Sequence, residues 1–521
     1  MPCCSTTRHL CFEVYSIFGG VIVEREIKFK EMYIGLPDGG EEAKNEMFER
    51  LFCNYNSKYQ EILNSPEKFL IIGSKGSGKT YLANYITKKQ GKRMHCIINN
   101  VADFDKKIAE LENCSLNNLC KWYLYKKIAE YLVSIHGFIS TKCMFSQLYK
   151  LNEFLKQTNS TGSLFKPTHK KVKKNLEEEN GGSMSGSRKG GIASIEGGTH
   201  NKSSRGYEEE VEYNRKTLQE LCGELEGYVL KAAFKNEKLY IIFDDLDELD
   251  KTLQEGNENI TINLIKTAKY INTEFSKRNI SIKIILLVRS DILDNLQYYD
   301  SNLAKIKTSC GVELYWLLNT ESAPEKNPLM NMVLHKIKTS CQELSQYSDK
   351  ELYNKLFPEM VDRKKPLNYL LDHSFGRPRD IVMYLNHVMN EYPEESYFSA
   401  ARLKQVKKLY ASDLYDEMIN QANFHRSVVY TKQCLDLLAG IDGVTFSYTD
   451  ITNYYTNNRA LFSEIDNLDT ALSFLYRLGA IGNTWNQGKR SSWAYRKDAR
   501  DDIDKTKNFT IHYGIRKKFS K

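Results

Sequence analysis

Between Gly73 and Thr80 the chain reads Gly73-Ser74-Lys75-Gly76-Ser77-Gly78-Lys79-Thr80, with three glycines, two lysines and a closing hydroxyl. The spacing from Gly73 to Gly78-Lys79-Thr80 fits G-x-x-x-x-G-K-[ST], the Walker A pattern. Glycines let a backbone turn tightly with its N–H groups facing inward, and a helix that starts where such a loop ends offers its positive pole to an anion. The expected chemistry is the cradling of a phosphate chain, with Lys79 reaching the outer phosphates and the Thr80 hydroxyl on Mg²⁺. A chance Gly/Ser/Lys loop is the plain alternative. The apolar run Phe69–Ile72 before the loop and the helical pattern Tyr81–Ile86 after it favour strand, phosphate loop and helix in that order.

A second set of acids suits the same chemistry. Leu239–Phe243 is a buried-strand pattern that ends in Asp244-Asp245, the form of a Walker B strand. Asp244 is expected to hold Mg²⁺ and Asp245 to orient or activate the attacking water. Asp247, Glu248 and Asp250 follow at once, so Asp245 is the first choice of base among several acids. Ile282–Val288 is a further apolar run, closed by Arg289-Ser290-Asp291. Arg289 then reads either as a sensor of the terminal phosphate or as a structural partner of Asp291 or of the strand-end acids. Downstream, Gly376-Arg377-Pro378-Arg379-Asp380 opens a helix, with proline at a plausible first helical position. Arg377 or Arg379 would swing over a nucleotide from a neighbouring helical domain.

The elements that must position these groups follow from pattern. Continuous apolar runs suit interior strands of a parallel sheet covered on both faces, and polar residues at their carboxyl ends gather where such a sheet binds ligands. Glu41–Leu63 predicts an acidic helix, Lys92–Ile98 a short strand, and Leu116–Ile135 an amphipathic helix whose Trp122, Tyr123, Leu124 and Tyr131 belong to a core. From Gln157 to Gly206 the composition turns to Ser, Thr, Gly, Asn and Lys, the mark of an insertion; Gly191–Glu196 within it reads alternatively as a hairpin arm. Lys170, Lys171, Lys173 and Lys174 there read as a solvated charge run.

At 521 residues the chain is long enough for about two to four domains. Its net charge of +8 comes from 74 basic and 66 acidic residues, which permits a nucleic-acid partner without arguing for one. Twelve cysteines include no C-x-x-C pair, so neither a zinc nor a redox site is indicated, and they read as reduced thiols of a cytoplasmic protein. The apolar stretch Cys11–Val23 is interrupted by Glu13 and falls short of the ~20 residues of a membrane span, so a strand or hairpin is expected and no membrane partner.

In the last third, Phe424–Gly440 and Leu468–Leu478 predict helices, Val444–Ser447 a short extended piece, and Ala480–Trp485 with Ser492–Arg496 a hairpin around the basic tip Asn486–Arg490. That is the outline of a winged helix. Lys489, Arg490, Arg496 and Lys497 are placed to touch phosphates, whereas the helix Leu468–Leu478 carries only Arg477 as a positive charge and is poorly suited to base readout. The terminal Ile515–Lys521 is expected to be a solvated tail.

Taken together, Gly73–Thr80, Asp244-Asp245, Val288–Ile292 and Gly376–Asp380 resemble bacterial P-loop ATPases of the AAA+/STAND/KAP-like group. More narrowly, the chain looks like one bacterial family whose members share a lead-in like Gly35…Asp38…Glu42, a tryptophan like Trp316, and a C-terminal stretch like His512–Arg516. The resemblance implies an α/β fold, an ASCE-type P-loop NTPase core with a parallel sheet, a helical lid and a C-terminal winged helix. It places Arg289 at the sensor 1 position and Arg379 at the sensor 2 position, with Arg377 beside it. The boundaries it suggests are an N-terminal extension over 1–30, a core over 31–320 with an insertion at about 157–206, a lid over 321–423 and a winged helix with a basic tail over 424–521. It implies an ATP-binding, Mg²⁺-dependent ATPase acting as a molecular switch in signalling or anti-phage defence, and assembly as a homo-oligomer. Asp-Asp in place of the common Asp-Glu departs from the AAA+ pattern and points to slow turnover. DNA contact through the winged helix under nucleotide control, a protein effector, and a scaffold that binds ATP without hydrolysis stay open beside it.

Overall fold

Five strands lie side by side, and the three longest apolar runs supply the middle of the set. Leu70–Gly73 (β1), Met94–Asn100 (β2), Lys238–Asp244 (β3), Ile282–Arg289 (β4) and Gly311–Glu313 (β5) form one sheet in the order β2-β3-β4-β1-β5, with every pair parallel. All of β1 and β4 is buried, as a parallel sheet covered on both faces requires. The register sets Gly73 opposite Arg289 and Asn100 opposite Asp244, so the carboxyl ends of β1, β3 and β4 reach the same edge. The computed structural model describes residues 25–54, 57–101, 115–159, 217–234, 236–246, 259–318, 323–423, 425–485, 490–497, 499–500 and 502–521, with the short strands Ile17–Phe18, Val21–Ile22, Thr168–Lys170 and Glu212–Asn214.

One charge interrupts the apolar run of β4, and its place explains it. Lys283 sits at the end of the sheet away from the glycine loop, where its ammonium donates to the carbonyls of Ile62 and Ser65, the latter at 2.8 Å. It thereby caps the helix Lys58–Asn64. Burial pushes its ammonium down to about 8.

The chain divides into two units, Met1–Phe104 with Phe234–Lys521, and Asp105–Ala233. The second unit takes in the 157–206 segment, most of which lies outside the described residues, including Gly191–Glu196 and Lys171, Lys173 and Lys174. Its described helices span Leu116–Ile135, Gly137–Lys142, Gln147–Asn159 and Leu218–Ala232. Trp122, Tyr123 and Leu124 are buried as expected, with Trp122 meeting Phe154 edge-on, whereas Tyr131, expected in the same core, is only half-buried.

In the first unit, helix Lys79–Lys88 (α1) follows the loop and Ile260–Lys277 (α2) packs on the sheet. Pro328–Ser340 (α3), Pro366–His373 (α4), Pro378–Glu391 (α5) and Lys407–Ala422 (α6) form a helical region. Beyond it come Val428–Gly440 (α7), Thr445–Phe446 (β6), Tyr448–Asn457 (α8), Leu468–Arg477 (α9), Ile481–Trp485 (β7), Arg490–Ser492 (β8) and Asn508–Ile511 (β9). The four strands make an antiparallel sheet in the order β6-β9-β7-β8.

Two expectations are corrected. In place of one helix from Glu41 to Leu63 there are three short pieces, Gly39–Glu42, Phe48–Leu51 and Lys58–Asn64. The Asn45 side chain accepts from the Met47 N–H at 2.8 Å, a local turn that competes with helix propagation. Nor is 515–521 a solvated tail. Ile515 is fully buried, Phe519 packs edge-on against Tyr415, and the Lys521 ammonium donates to the carbonyls of Leu438 and Gly443 at 2.9 and 3.0 Å, at the end of α7.

Candidate functional site

A cleft of about 330 Å³ opens at the carboxyl edge of the parallel sheet. Lys75, Gly76, Gly78, Lys79, Thr80, Asp244, Asp245, Arg289 and Arg379 all line it. The loop that forms its floor is tightly folded: a β-carbon on Gly73 would stand 2.3 Å from Ser77 Oγ. Lys79 Nζ donates to the carbonyls of Gly73 and Ser74 at 2.9 and 3.2 Å, so its charge lies across the loop. The Thr80 hydroxyl donates to Asp244 Oδ2 at 2.7 Å, joining the start of α1 to the end of β3. Asp244 Oδ1 accepts the Asp245 N–H at 2.9 Å, and Asp245 is exposed with φ of +54°, a left-handed turn that aspartate tolerates. Asp247, Glu248 and Asp250 lie outside the described residues.

The three arginines take different places. Arg289 is buried at the end of β4 and forms a fork with Asp291, Nε to Oδ1 at 3.1 Å and Nη2 to Oδ2 at 2.6 Å. Of the two readings of Arg289, the Asp291 pair is therefore present, and the residue also lines the cleft. Burial opposes the charge of Asp291, but the hydrogen bond from His425 and the adjacent Arg289 hold its carboxyl well below the ordinary carboxylate range. Arg377 is buried against Asp380, with Nε and Nη2 both on the carboxylate, and Nη1 donates to the Lys75 carbonyl at 2.8 Å. Arg379 Nε donates to the Pro37 carbonyl at 3.0 Å, and Nη1 to Glu417 Oε1 at 3.0 Å. A β-carbon on Gly76 (φ +81°) would come within 3.0 Å of Arg379 Cβ, so only glycine admits α5 this closely to the loop.

Residues from the last position of β5 onward, Glu313 to Leu317, act as a strap. The Leu314 N–H extends the sheet to the Ile72 carbonyl at 2.8 Å, and Trp316 Nε1 donates to the Ser77 carbonyl at 2.9 Å. Leu317 lies where a β-carbon on Gly376 would come within 2.2 Å of its Cδ2. On the other side, Glu313 pairs with Lys497 at 2.8 Å, and the Tyr315 hydroxyl accepts the Lys497 N–H at 3.3 Å. One five-residue stretch thus touches the loop, the helical region and the C-terminal module.

The lead-in segment closes the cleft's far wall. Asp38 caps the short helix Gly39–Glu42 by accepting from Gly40 and Glu41 N–H groups at 2.9 Å. Glu42 is buried against Lys336 of α3 at 2.5 Å, and Lys336 Nζ stands 4.9 Å above the Tyr81 ring of α1. Burial raises the Glu42 carboxyl and lowers the Lys336 ammonium, and their mutual attraction opposes both shifts. Apolar Leu36, Pro37, Phe52, Met332 and Val382 complete this end.

In the C-terminal module Lys505 pairs with Asp469 at 2.7 Å and Lys507 with Asp504 at 3.7 Å. Arg490 is exposed on β8, and Lys489 lies outside the described residues. Among the described residues no group of three or more His, Cys, Asp or Glu side chains forms a metal cage, and no helix is long and apolar enough to cross a membrane. The oxygens of Thr80 and Asp244 are the hard donors that suit Mg²⁺, which commonly takes one or two protein ligands and completes its shell with phosphates and water.

Glu417, Gln421 and Lys336 were not singled out by the sequence. Each sits on an amphipathic helix where a polar residue reads as solvated, and only tertiary packing turns it inward.

Residues 327–419, from the start of α3 into α6, match the family model described as the FunZ-associated C-terminal helical domain. No curated protein matches the chain.

Proposed function

We propose that the chain is an ATP-binding, Mg²⁺-dependent ATPase with a P-loop NTPase core, in which nucleotide state sets the relation between the core and the helical region. The observation that carries this reading is the 2.7 Å contact between Thr80 and Asp244, because a phosphate loop and a metal-holding acid must meet for the chemistry to exist. In this reading the N–H groups of Gly76–Thr80 bind the phosphate chain and Lys79 shifts from its loop carbonyls to the outer phosphates. Thr80 and Asp244 hold Mg²⁺, which when bound neutralises charge on the phosphates. Asp245 orients the attacking water, and Arg289 and Arg379 face the terminal phosphate from β4 and α5. The base fits the apolar end between Leu36, Pro37, Phe52 and Val382.

Asp-Asp at this position suits slow turnover, which suits a switch. Signalling or anti-phage defence as the setting, a homo-oligomeric assembly, and the reading of β6–β9 with α7–α9 as a winged helix all rest on resemblance alone. Nucleic-acid contact through that module is the weaker reading, since Lys497, Lys505 and Lys507 each pair with an acid of the same chain.

The test is ATP binding and hydrolysis by the full chain. Lys79→Ala should abolish binding, and Asp245→Asn should keep binding while turnover falls by about 10²-fold or more. Unchanged turnover in both variants would remove the enzyme reading.

A further inference from the structure

Beside the proposed phosphate site lies an acid of the same chain. Glu417, on α6, places Oε1 3.0 Å from Arg379 Nη1 and Oε2 3.8 Å from Lys75 Nζ. Both cations line the cleft, one from the glycine loop and one from the start of α5. The Glu417 side chain is only 13 % exposed, so the contact is sheltered from water and from screening by salt. One turn farther along α6, the Gln421 carbonyl accepts from Arg289 Nη2 at 3.3 Å, and its side-chain oxygen stands 3.5 Å from Arg377 Nη1. A single helix face therefore touches four cations, three of which, Lys75, Arg289 and Arg379, line one cleft.

Converging cations in a sheltered place repel one another unless an anion sits among them. We infer that Glu417 is that anion: a built-in counter-charge that holds Lys75 and Arg379 and must release them before they engage a polyphosphate. The inference rests on the nucleotide-binding reading above and goes beyond it, by assigning α6 the role of an element that polyphosphate displaces. Displacement has a physical route outward. Tyr415 of α6 packs edge-on against Phe519, and Ser412 lies 3.5 Å from Lys518 Nζ, so a shift of α6 bears directly on the C-terminal segment. A ligand can bias such an element only through contacts that differ between its two positions, and the carboxylate–phosphate competition supplies that difference.

The competition is between charges, so it should depend on phosphate and not on base. Calorimetric titration of the full chain with ATP, inorganic tripolyphosphate and adenosine reads this directly. Glu417→Gln keeps the size and hydrogen-bonding shape of the side chain and removes the charge. It should bind ATP and tripolyphosphate about fivefold or more tightly and leave adenosine unchanged, whereas Glu417→Asp should stay near wild type. In the unaltered protein, amide exchange across 407–422 should speed up when tripolyphosphate binds, a measurement that needs no variant. If wild type binds ATP but Glu417→Gln binds tripolyphosphate no tighter, or exchange across 407–422 does not change, the counter-charge is overturned while the nucleotide site stands. If the folded wild type binds neither ATP nor tripolyphosphate, both readings fall together.

Discussion

Arg377 Nη1 donates to the backbone carbonyl of Lys75 at 2.8 Å, across 302 positions of sequence. The same guanidinium is clamped by the fully buried Asp380, so it grips the glycine loop by its backbone and does not line the cleft. The shape of the loop is thereby tied to the start of α5, independently of any contact Arg379 makes with a ligand.

Arg377→Ala should cost about 3–5 kcal/mol in stability, because it leaves the Asp380 carboxylate buried without its partner. Arg377→Lys retains the charge but not the fork, and should fall between the variant and wild type. Chemical denaturation of the three proteins checks the order; equal stabilities would show that the clamp contributes nothing.

The indole of Trp316 holds the loop from the opposite side. Trp316→Phe keeps most of the apolar contact and deletes the donor to the Ser77 carbonyl, a loss of about 1 kcal/mol, or about fivefold in any ligand affinity that depends on loop order. Nucleotide titration against wild type measures it, and an unchanged affinity would mean the loop keeps its shape without this bond.

Two glycines of the loop separate strain from crowding. Gly76 and Gly78 have φ of +81° and +94°, so alanine at either costs about 1–2 kcal/mol in backbone strain. A β-carbon at Gly76 also meets Arg379, whereas none at Gly78 meets anything within 4 Å. Gly76→Ala should therefore destabilise the protein more than Gly78→Ala; the reverse order in urea denaturation would contradict the close approach of α5.

Acid should loosen the joint between the helical region and the C-terminal module. Burial lowers His373 to about 4 and His512 to about 3, so the folded chain keeps both imidazoles neutral where an unfolded chain would protonate them. Stability from this source is complete above about pH 6.5 and is lost as pH falls through the window down to about 4 and 3. Each imidazole contributes a loss of about 1.4 kcal/mol per pH unit once the unfolded chain is protonated there. Denaturant midpoints should stay level from pH 7.5 to about 6.5 and fall from there to pH 5; a profile flat throughout would show that neither histidine is held neutral.

Much of the sheet and its loop was legible because their physical requirements leave marks in sequence. Runs such as Leu239–Phe243 and Ile282–Val288 are apolar on both faces, and glycines at Gly76 and Gly78 sit where φ is positive. The strand Asn508–Ile511 leaves no such mark, although it is interior to its sheet, since four residues between polar neighbours carry too short a period. The pairing of Arg289 with Asp291 was one of two expectations, and local spacing alone does not choose between an arginine held by its neighbour and one facing a ligand. Glu417 was beyond reach: its partners Lys75 and Arg379 are distant in sequence, and nothing local sets it apart from a solvated acid.

The order of the parallel sheet also dictates when this protein can become itself during synthesis. β1 and β3 exchange no hydrogen bonds; each pairs with β4, which leaves the ribosome after both of them. A nascent chain halted before Ile282 carries Thr80 and Asp244 with no strand to set their separation, and the segment bearing Arg379 and Glu417 is still to come. Assembly of the cleft is thus a late event in biogenesis, and the growing amino-terminal half must stay unaggregated without it.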